Sequence, residues 1–194
     1  MSTIVVVRKN GIAVIAADTM TKLGHNYESA KYIVGGSKMI RVGDNAIAQV
    51  GHASFCLVMS SYFDSLKNKV ALDSPAAIFK AAQEMHRAFK DDYNLNPNED
   101  SDDPFESSRQ QILIANSSGI FGLYALRSVQ EYSRFYAFGS GTDFALGAMH
   151  ALYESDLDAE SIARAAIRAA ADFDDATAEP IEVQTFKLKK VRPN

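Results

Sequence analysis

The chain of 194 residues is 47% hydrophobic and 23% charged, with a formal net charge of −4 from 20 Lys+Arg against 24 Asp+Glu. That length predicts one domain over 1–194, large enough to bury about 70% of its unfolded surface without disulfides or a structural metal. No apolar run approaches the ~20 residues of a membrane span, no basic block points to nucleic acid, and Met1-Ser2-Thr3-Ile4 does not read as a signal peptide.

Two strands open the chain. Ile4 to Val7 is apolar and β-branched, Asn10-Gly11 is a strong hairpin signal, and Ile12 to Ala17 resumes the apolar run before stopping at Asp18. The polar stretch from Thr19 to Glu28 reads as a loop or a second small hairpin. Met39 to Val42 and Ala46 to Val50 form another strand pair around Gly43-Asp44-Asn45. Phe55, Val58, Met59, Tyr62 and Leu66 then make one helical stripe. Cys56, between Phe55 and Leu57, reads as a core residue. As the only cysteine it has no internal disulfide partner, which fits a reducing cytoplasm.

Ser74-Pro75 is an N-cap followed by proline at the first helical position, and Ile78, Ala81, Ala82, Met85 and Phe89 continue that helix. Residues 93–108 hold little to bury and read as a solvated acidic loop. Their Glu99, Asp100, Asp102 and Asp103 lack the glycine and distal glutamate of a calcium loop. Gln111 to Asn116 and Ile120 to Leu126 are a strand pair turned at Ser117-Ser118-Gly119, with more strand material over 131–138. Gly139-Ser140-Gly141 precedes a helix through about Tyr153. Asp158 caps a last helix whose alanine-rich stripe requires a closely packed neighbour, and a strand runs from about Ile181 to Leu188. Grouped strands and grouped helices predict an α+β fold. Two strand groups and two helix pairs suggest a sheet-on-sheet sandwich with helices outside, four layers in all.

Four features carry candidate chemistry. Removal of Met1 leaves Ser2 with a hydroxyl and a free α-amine, whose ordinary pKa of about 7.7–8.0 suits a general base. The strand start at Thr3 or Ile4 pins Ser2 to a sheet edge. Asp18 closes a buried strand and reads equally as a turn-starting aspartate. Lys38 precedes a strand; buried beside Asp18, its ammonium would favour ionisation of a nearby hydroxyl. Ser140 stands at a helix N-terminus without the glycine pattern of a phosphate loop. Rival chemistry is poorly supported: no Gly-x-Ser-x-Gly elbow accompanies His25, His52, His86 or His150, and no two histidines have zinc-ligand spacing. His86 and His150 read as structural.

Taken together, Ser2 to Gly11, Val14 to Asp18, Ser37 to Val42, Val50-Gly51-His52-Ala53, Phe138 to Gly141 and Ile162 to Ala166 resemble the proteasome β-type family, its bacterial HslV-like peptidases above all. The resemblance spans nearly the whole chain in order. It implies the αββα sandwich of two mostly antiparallel sheets found in N-terminal nucleophile hydrolases, and peptide-bond hydrolysis by the mature first residue. Ser2 stands where the family usually has threonine. Asp18 and Lys38 match the buried acid and lysine, Ser140 the serine near the terminal amine, and Asp172 the later aspartate. Gly51 matches the glycine whose N–H faces the oxyanion. Thr21, Gln49 and Ala53 are expected to line the substrate pocket.

Lys38 lies further from Asp18 than the family spacing, which makes Lys31 a rival; Met39-Ile40-Arg41-Val42 after Lys38 favours it. The resemblance further implies a cytoplasmic homo-oligomeric double ring acting on peptides or unfolded polypeptide. It admits an ATP-dependent unfoldase as partner, and a monovalent cation held around Ala171, Asp174 and Thr177, with no metal or organic cofactor needed for the reaction. A catalytically weak ring scaffold and a small-amide acylase are the alternative readings.

Overall fold

The computed structural model describes residues 2–98 and 100–189, so Met1 and Glu99 lie outside the described residues. The first sheet holds β1 (Thr3–Lys9), β2 (Ile12–Asp18), β10 (Phe135–Gly139) and β11 (Ile181–Lys187), in the order β10-β1-β2-β11. The second runs β5-β6-β7-β8-β9, from Met39–Val42, Asn45–Gly51, Gln110–Asn116, Gly119–Leu123 and Val129–Tyr132. Every pairing in both sheets is antiparallel. A two-stranded hairpin, β3 (Thr21–Leu23) and β4 (Asn26–Glu28), fills the polar stretch after Asp18.

The sheets face one another across a core that includes Ile4, Val6, Ile15, Ala48 and Leu113. Alternate residues of β1 and β2, such as Val5, Val7 and Val14, pack instead under α3 (Thr142–Leu152) and α4 (Ala159–Phe173). Ile47, Ile112 and Ile114 likewise pack under α1 (Phe55–Ser65) and α2 (Pro75–Asp91). The result is the expected four-layer αββα sandwich. It explains why β1 reads as an unbroken apolar run: both of its faces are covered, so no polar alternation is required. β1 is an interior strand between β10 and β2, not an edge strand as expected of the N-terminus.

The caps formed as read. Ser74 Oγ accepts from Ala77 N at 3.4 Å, and Asp158 Oδ1 accepts from Ser161 N at 2.7 Å. The alanine stripe of α4 lets it lie close against β1 and β2, and Ala163, Ala166 and Ala170 are fully buried. Residues 93–108 carry no helix or strand among those described. His86 is a buried structural histidine: Nδ1 lies 3.0 Å from Ser108 Oγ and Nε2 lies 3.2 Å from Glu106 Oε2. Burial lowers its pKa, opposed by Glu106.

Candidate active site

The antiparallel register places Ile4 opposite Ala17, which brings Asp18 beneath the first residue of β1. Asp18 is fully buried and surrounded by donors. Its Oδ1 accepts from Thr3 N at 2.9 Å, its Oδ2 from Met20 N at 3.1 Å, and both oxygens accept from Lys38 Nζ at 2.7 Å. The Met20 contact is the turn geometry that sequence alone allowed, and the Lys38 contact is the ion pair expected if the two residues were buried together.

Lys38 reaches this position because it directly precedes β5, and Gln49 N of the neighbouring strand donates to its carbonyl at 3.3 Å. Its side chain is 10% exposed. Lys31, the rival, lies exposed in a 3-10 turn at Ala30–Tyr32. Burial pushes the Lys38 ammonium below its ordinary pKa and the Asp18 carboxyl above its own, while their mutual attraction and hydrogen bonds oppose both shifts.

A second network supports the chain start from the other side. Thr3 pairs with Gly139, so the next residue, Ser140, donates its N–H to the Ser2 carbonyl at 2.9 Å. Gly139 has φ +114, and a Cβ there would meet the Ser2 carbonyl oxygen, so only glycine allows this approach. Ser140 Oγ donates to Asp174 Oδ2 at 2.7 Å, and Thr177 Oγ1 donates to the same oxygen at 2.6 Å. Thr177 has then spent its single proton, so the 2.6 Å contact between Thr3 Oγ1 and Thr177 Oγ1 runs from Thr3. One carboxylate thus orders three hydroxyls next to Ser2.

The aspartate in that network corrects the sequence reading. Asp172 lies on α4 and faces solvent, whereas Asp174 caps the helix and turns toward Ser140. Three aspartates stand within four positions here, and only the place where α4 ends selects among them. The resemblance named Asp174 and Thr177 only for their carbonyls around a cation, whereas here their side chains bond each other and Thr177 meets Thr3.

Ser2, Thr21, Lys38, Gln49, Gly51 and Ala53 all line one cleft of about 380 Å³. Ser2 itself is 7% exposed. Asp18 is buried behind this surface, and Ser140 and Asp174 lie outside the cleft lining. Gly51 ends β6 at φ +150, and a Cβ there would sit 3.0 Å from the Arg109 carbonyl oxygen, so the position needs glycine. Cys56 is half-buried and lines the cleft rather than the core, next to Phe55 on the buried stripe of α1 but off that stripe itself. No group of three or more His, Cys, Asp or Glu side chains that could hold a metal occurs among the described residues. Among those residues, no helix is long and apolar enough to cross a membrane.

A two-sheet sandwich flanked by helices, with the chain's first residues beside a buried lysine–carboxylate pair at the sandwich mouth, defines an N-terminal nucleophile hydrolase. Comparison with known proteins gives the family. The chain superimposes on Thiobacillus denitrificans BPH with a TM-score of 0.92 at 47% identity, covering 96% of this chain and 98% of that one. The same protein in complex with epoxomicin gives 0.91 at 46% identity, covering 97% and 100%. Eukaryotic HslV from Trypanosoma brucei gives 0.65 at 25% identity, covering 95% and 99%. In sequence, the chain is 28% identical over 195 residues to the ATP-dependent protease subunit HslV of Bartonella quintana, covering 97% of this chain and 93% of that one. No family model matches the chain. The chain belongs to the HslV-like proteasome β-type family of self-compartmentalising N-terminal nucleophile peptidases.

Proposed function

We propose that Ser2, once it is the first residue, is the nucleophile of a peptidase whose sites face the inside of a homo-oligomeric ring. The observation that carries this reading is the shared carboxylate of Asp18: one oxygen accepts from both the Thr3 amide at 2.9 Å and Lys38 Nζ at 2.7 Å. That bond ties the position of the chain start to the position of a buried cation.

In this reading Ser2 Oγ attacks the peptide carbonyl while the Ser2 α-amine takes the hydroxyl proton. Lys38, held by Asp18, keeps the local potential positive and favours the developing alkoxide. The Gly51 N–H donates to the oxyanion, an effect worth about 3 kcal/mol in comparable sites. The tetrahedral intermediate collapses, the C–N bond breaks, and the amine product leaves with the proton. Water then attacks the acyl ester and returns the hydroxyl. The Asp174–Ser140–Thr177 network holds the Ser2 carbonyl and so fixes the direction of the amine. No metal or organic cofactor enters these steps.

Serine lacks the methyl that narrows χ1 of threonine, so its hydroxyl is less constrained and the attack slower than with threonine. Thr21, Gln49 and Ala53 form the pocket for the residue before the scissile bond. A ring enclosing such sites admits peptides and unfolded chains and excludes folded proteins. The relative named as an ATP-dependent protease subunit favours an ATP-driven partner that unfolds substrates. The lone cysteine, Cys56, suits a reducing cytoplasm.

Intact-mass measurement of protein made in a cell, together with hydrolysis of small fluorogenic peptides, tests the reading. The expected result is a chain lacking Met1 that hydrolyses peptides, and a Ser2→Ala variant at background rate. Retained Met1, or equal rates for wild type and Ser2→Ala, refutes Ser2 as nucleophile; equal rates at background leave a ring scaffold.

A further inference from the structure

The backbone of Gly51 is held from the strand beside it. Two residues earlier in β6, Gln49 N donates to the Lys38 carbonyl on the β5 side at 3.3 Å. Backbone N–H groups alternate in direction along a strand, so the Gly51 N–H leaves β6 on that same side, away from β7. The β5 ladder pairs Asn45 to Ala48 and stops short of Gly51, and Lys38 and Gly51 both line the cleft. The β7 side is closed. The register sets Gly51 opposite Gln110, and a Cβ on Gly51 would stand 3.0 Å from the Arg109 carbonyl oxygen and 3.3 Å from Gln110 Cβ. The Arg109 carbonyl therefore packs directly on the Gly51 backbone.

Arg109 has a conformation that side chains rarely adopt. Its φ is +54, in the left-handed region that disfavours any residue with a Cβ. Ser107 Oγ accepts from its N–H at 2.9 Å, and its guanidinium donates to the carbonyls of Asn98 at 3.0 Å and Asn96 at 3.4 Å. The chain on both sides is anchored. Ser107 and Ser108 are buried, with Ser107 N donating to Pro97 O at 3.1 Å and Ser108 N to Ala125 O at 2.8 Å. Ser108 Oγ also meets His86 Nδ1, and Gln110 is fixed in β7. Arg109 joins these two anchored ends. A side chain that resists the left-handed form must shift its own peptide planes, and the carbonyl touching Gly51 moves with them. Arg109 is itself exposed, so no packing in the core demands this conformation. Strain of this kind persists only where the surroundings impose it, and it gathers at sites whose geometry matters.

We propose that Arg109 is a positioning residue: its left-handed backbone sets the direction of the Gly51 N–H and so the geometry of the oxyanion site. The inference rests on the peptidase reading above, in which that N–H receives the oxyanion. Arg109 is not part of the cleft lining and acts through Gly51. An arginine stands where glycine would be less strained because its guanidinium also ties residues 96–98 to the start of β7.

The experiment compares Arg109→Val and Arg109→Gly with the processed wild-type assembly. Valine is β-branched and opposes a positive φ, whereas glycine adopts it freely but gives up the clamp on Asn96 and Asn98. Steady-state hydrolysis of one fluorogenic peptide gives kcat and KM, and inhibition by a peptide aldehyde of the same sequence gives Ki. Ser2 Oγ adds to that aldehyde carbon, its proton passes to the α-amine, and the new oxygen anion takes the place that the Gly51 N–H serves. Arg109→Val should lower kcat about 10-fold or more, leave KM within about twofold, and raise the aldehyde Ki by a factor similar to the loss in kcat. Arg109→Gly should lose at least about fivefold less on both readouts. If Arg109→Val does not assemble, Ser107→Ala, which removes the acceptor for the Arg109 N–H, takes its place. Wild-type kcat and Ki in Arg109→Val, an equal loss in Arg109→Val and Arg109→Gly, or a change in KM alone overturns this inference and leaves the peptidase reading standing. Absence of hydrolysis by wild type overturns the peptidase reading and this inference with it.

Discussion

Replacing Lys38 by methionine separates what the buried ion pair does for the fold from what it does for the reaction. Lys38 Nζ lies 2.7 Å from both oxygens of Asp18, and the two side chains are 10% and 0% exposed. Solvent therefore screens little of the interaction. Lys38→Met strands a buried carboxylate with only backbone N–H donors, and leaving one member of such a pair uncompensated costs about 3–5 kcal/mol. Burial is the largest influence raising the Asp18 pKa, and Lys38 is the main one opposing it, so the variant's Asp18 titrates higher still.

The sign follows directly. The native variant holds a proton on Asp18 that the unfolded chain has lost near neutral pH, so stability falls as pH rises and recovers as pH drops toward 5. Thermal unfolding between pH 5 and 8 should therefore show a variant that melts well below wild type at pH 8 and closes the gap at pH 5. The double variant Lys38→Met/Asp18→Asn, in which neither partner carries charge, should regain most of the stability at pH 8 and lose the pH slope. Peptide hydrolysis by that refolded double variant should remain down by about 10²–10³, the scale of losing one electrostatic stabiliser of the reacting atoms. A double variant that recovers both stability and wild-type kcat would refute a chemical role for Lys38. A single variant without a pH-dependent deficit would refute the buried pair itself.

Two further outcomes follow from the structure. Asp174→Asn should lower kcat about 10-fold or more, because a neutral amide no longer accepts equally from Ser140 and Thr177, while the solvent-facing Asp172→Asn should leave kcat within twofold; steady-state kinetics on both variants decides, and the reverse order would restore Asp172 to the site. Burial lowers the His86 pKa, so the native chain keeps that ring neutral while the unfolded chain takes up a proton below about pH 6.5. Stability should consequently fall with pH between about 7 and 5, and His86→Gln should flatten that slope; melting curves with identical slopes for the two proteins would contradict the assignment.

Much of this molecule is determined locally and is therefore legible along the chain. Asn10-Gly11 forces the first hairpin, Ser74-Pro75 and Asp158 start their helices, and the apolar stripes state which helix faces are buried. Ser2, Asp18 and Lys38 could be singled out because each stands at the boundary of a strand, where the neighbouring pattern fixes its position to within a residue. Lys38 could be preferred over Lys31 because an apolar strand follows it directly.

Other features depend on contacts between distant segments, and no local pattern encodes those. Asp174 rather than Asp172 meets Ser140 because the last turn of α4 ends there and the chain reverses toward β1; three nearby aspartates are equivalent until that reversal is known. Cys56 sits at the cleft rather than in the core because it lies off the buried stripe of α1, and only the folded structure shows that the face it occupies borders the cleft. That Gln49 Oε1 and both side-chain polar atoms of Gln110 lack a hydrogen-bond partner among the described residues is a matter of register between β6 and β7. A polar residue reads alike in sequence whether or not its partner is present, and only packing removes the water that would otherwise satisfy it.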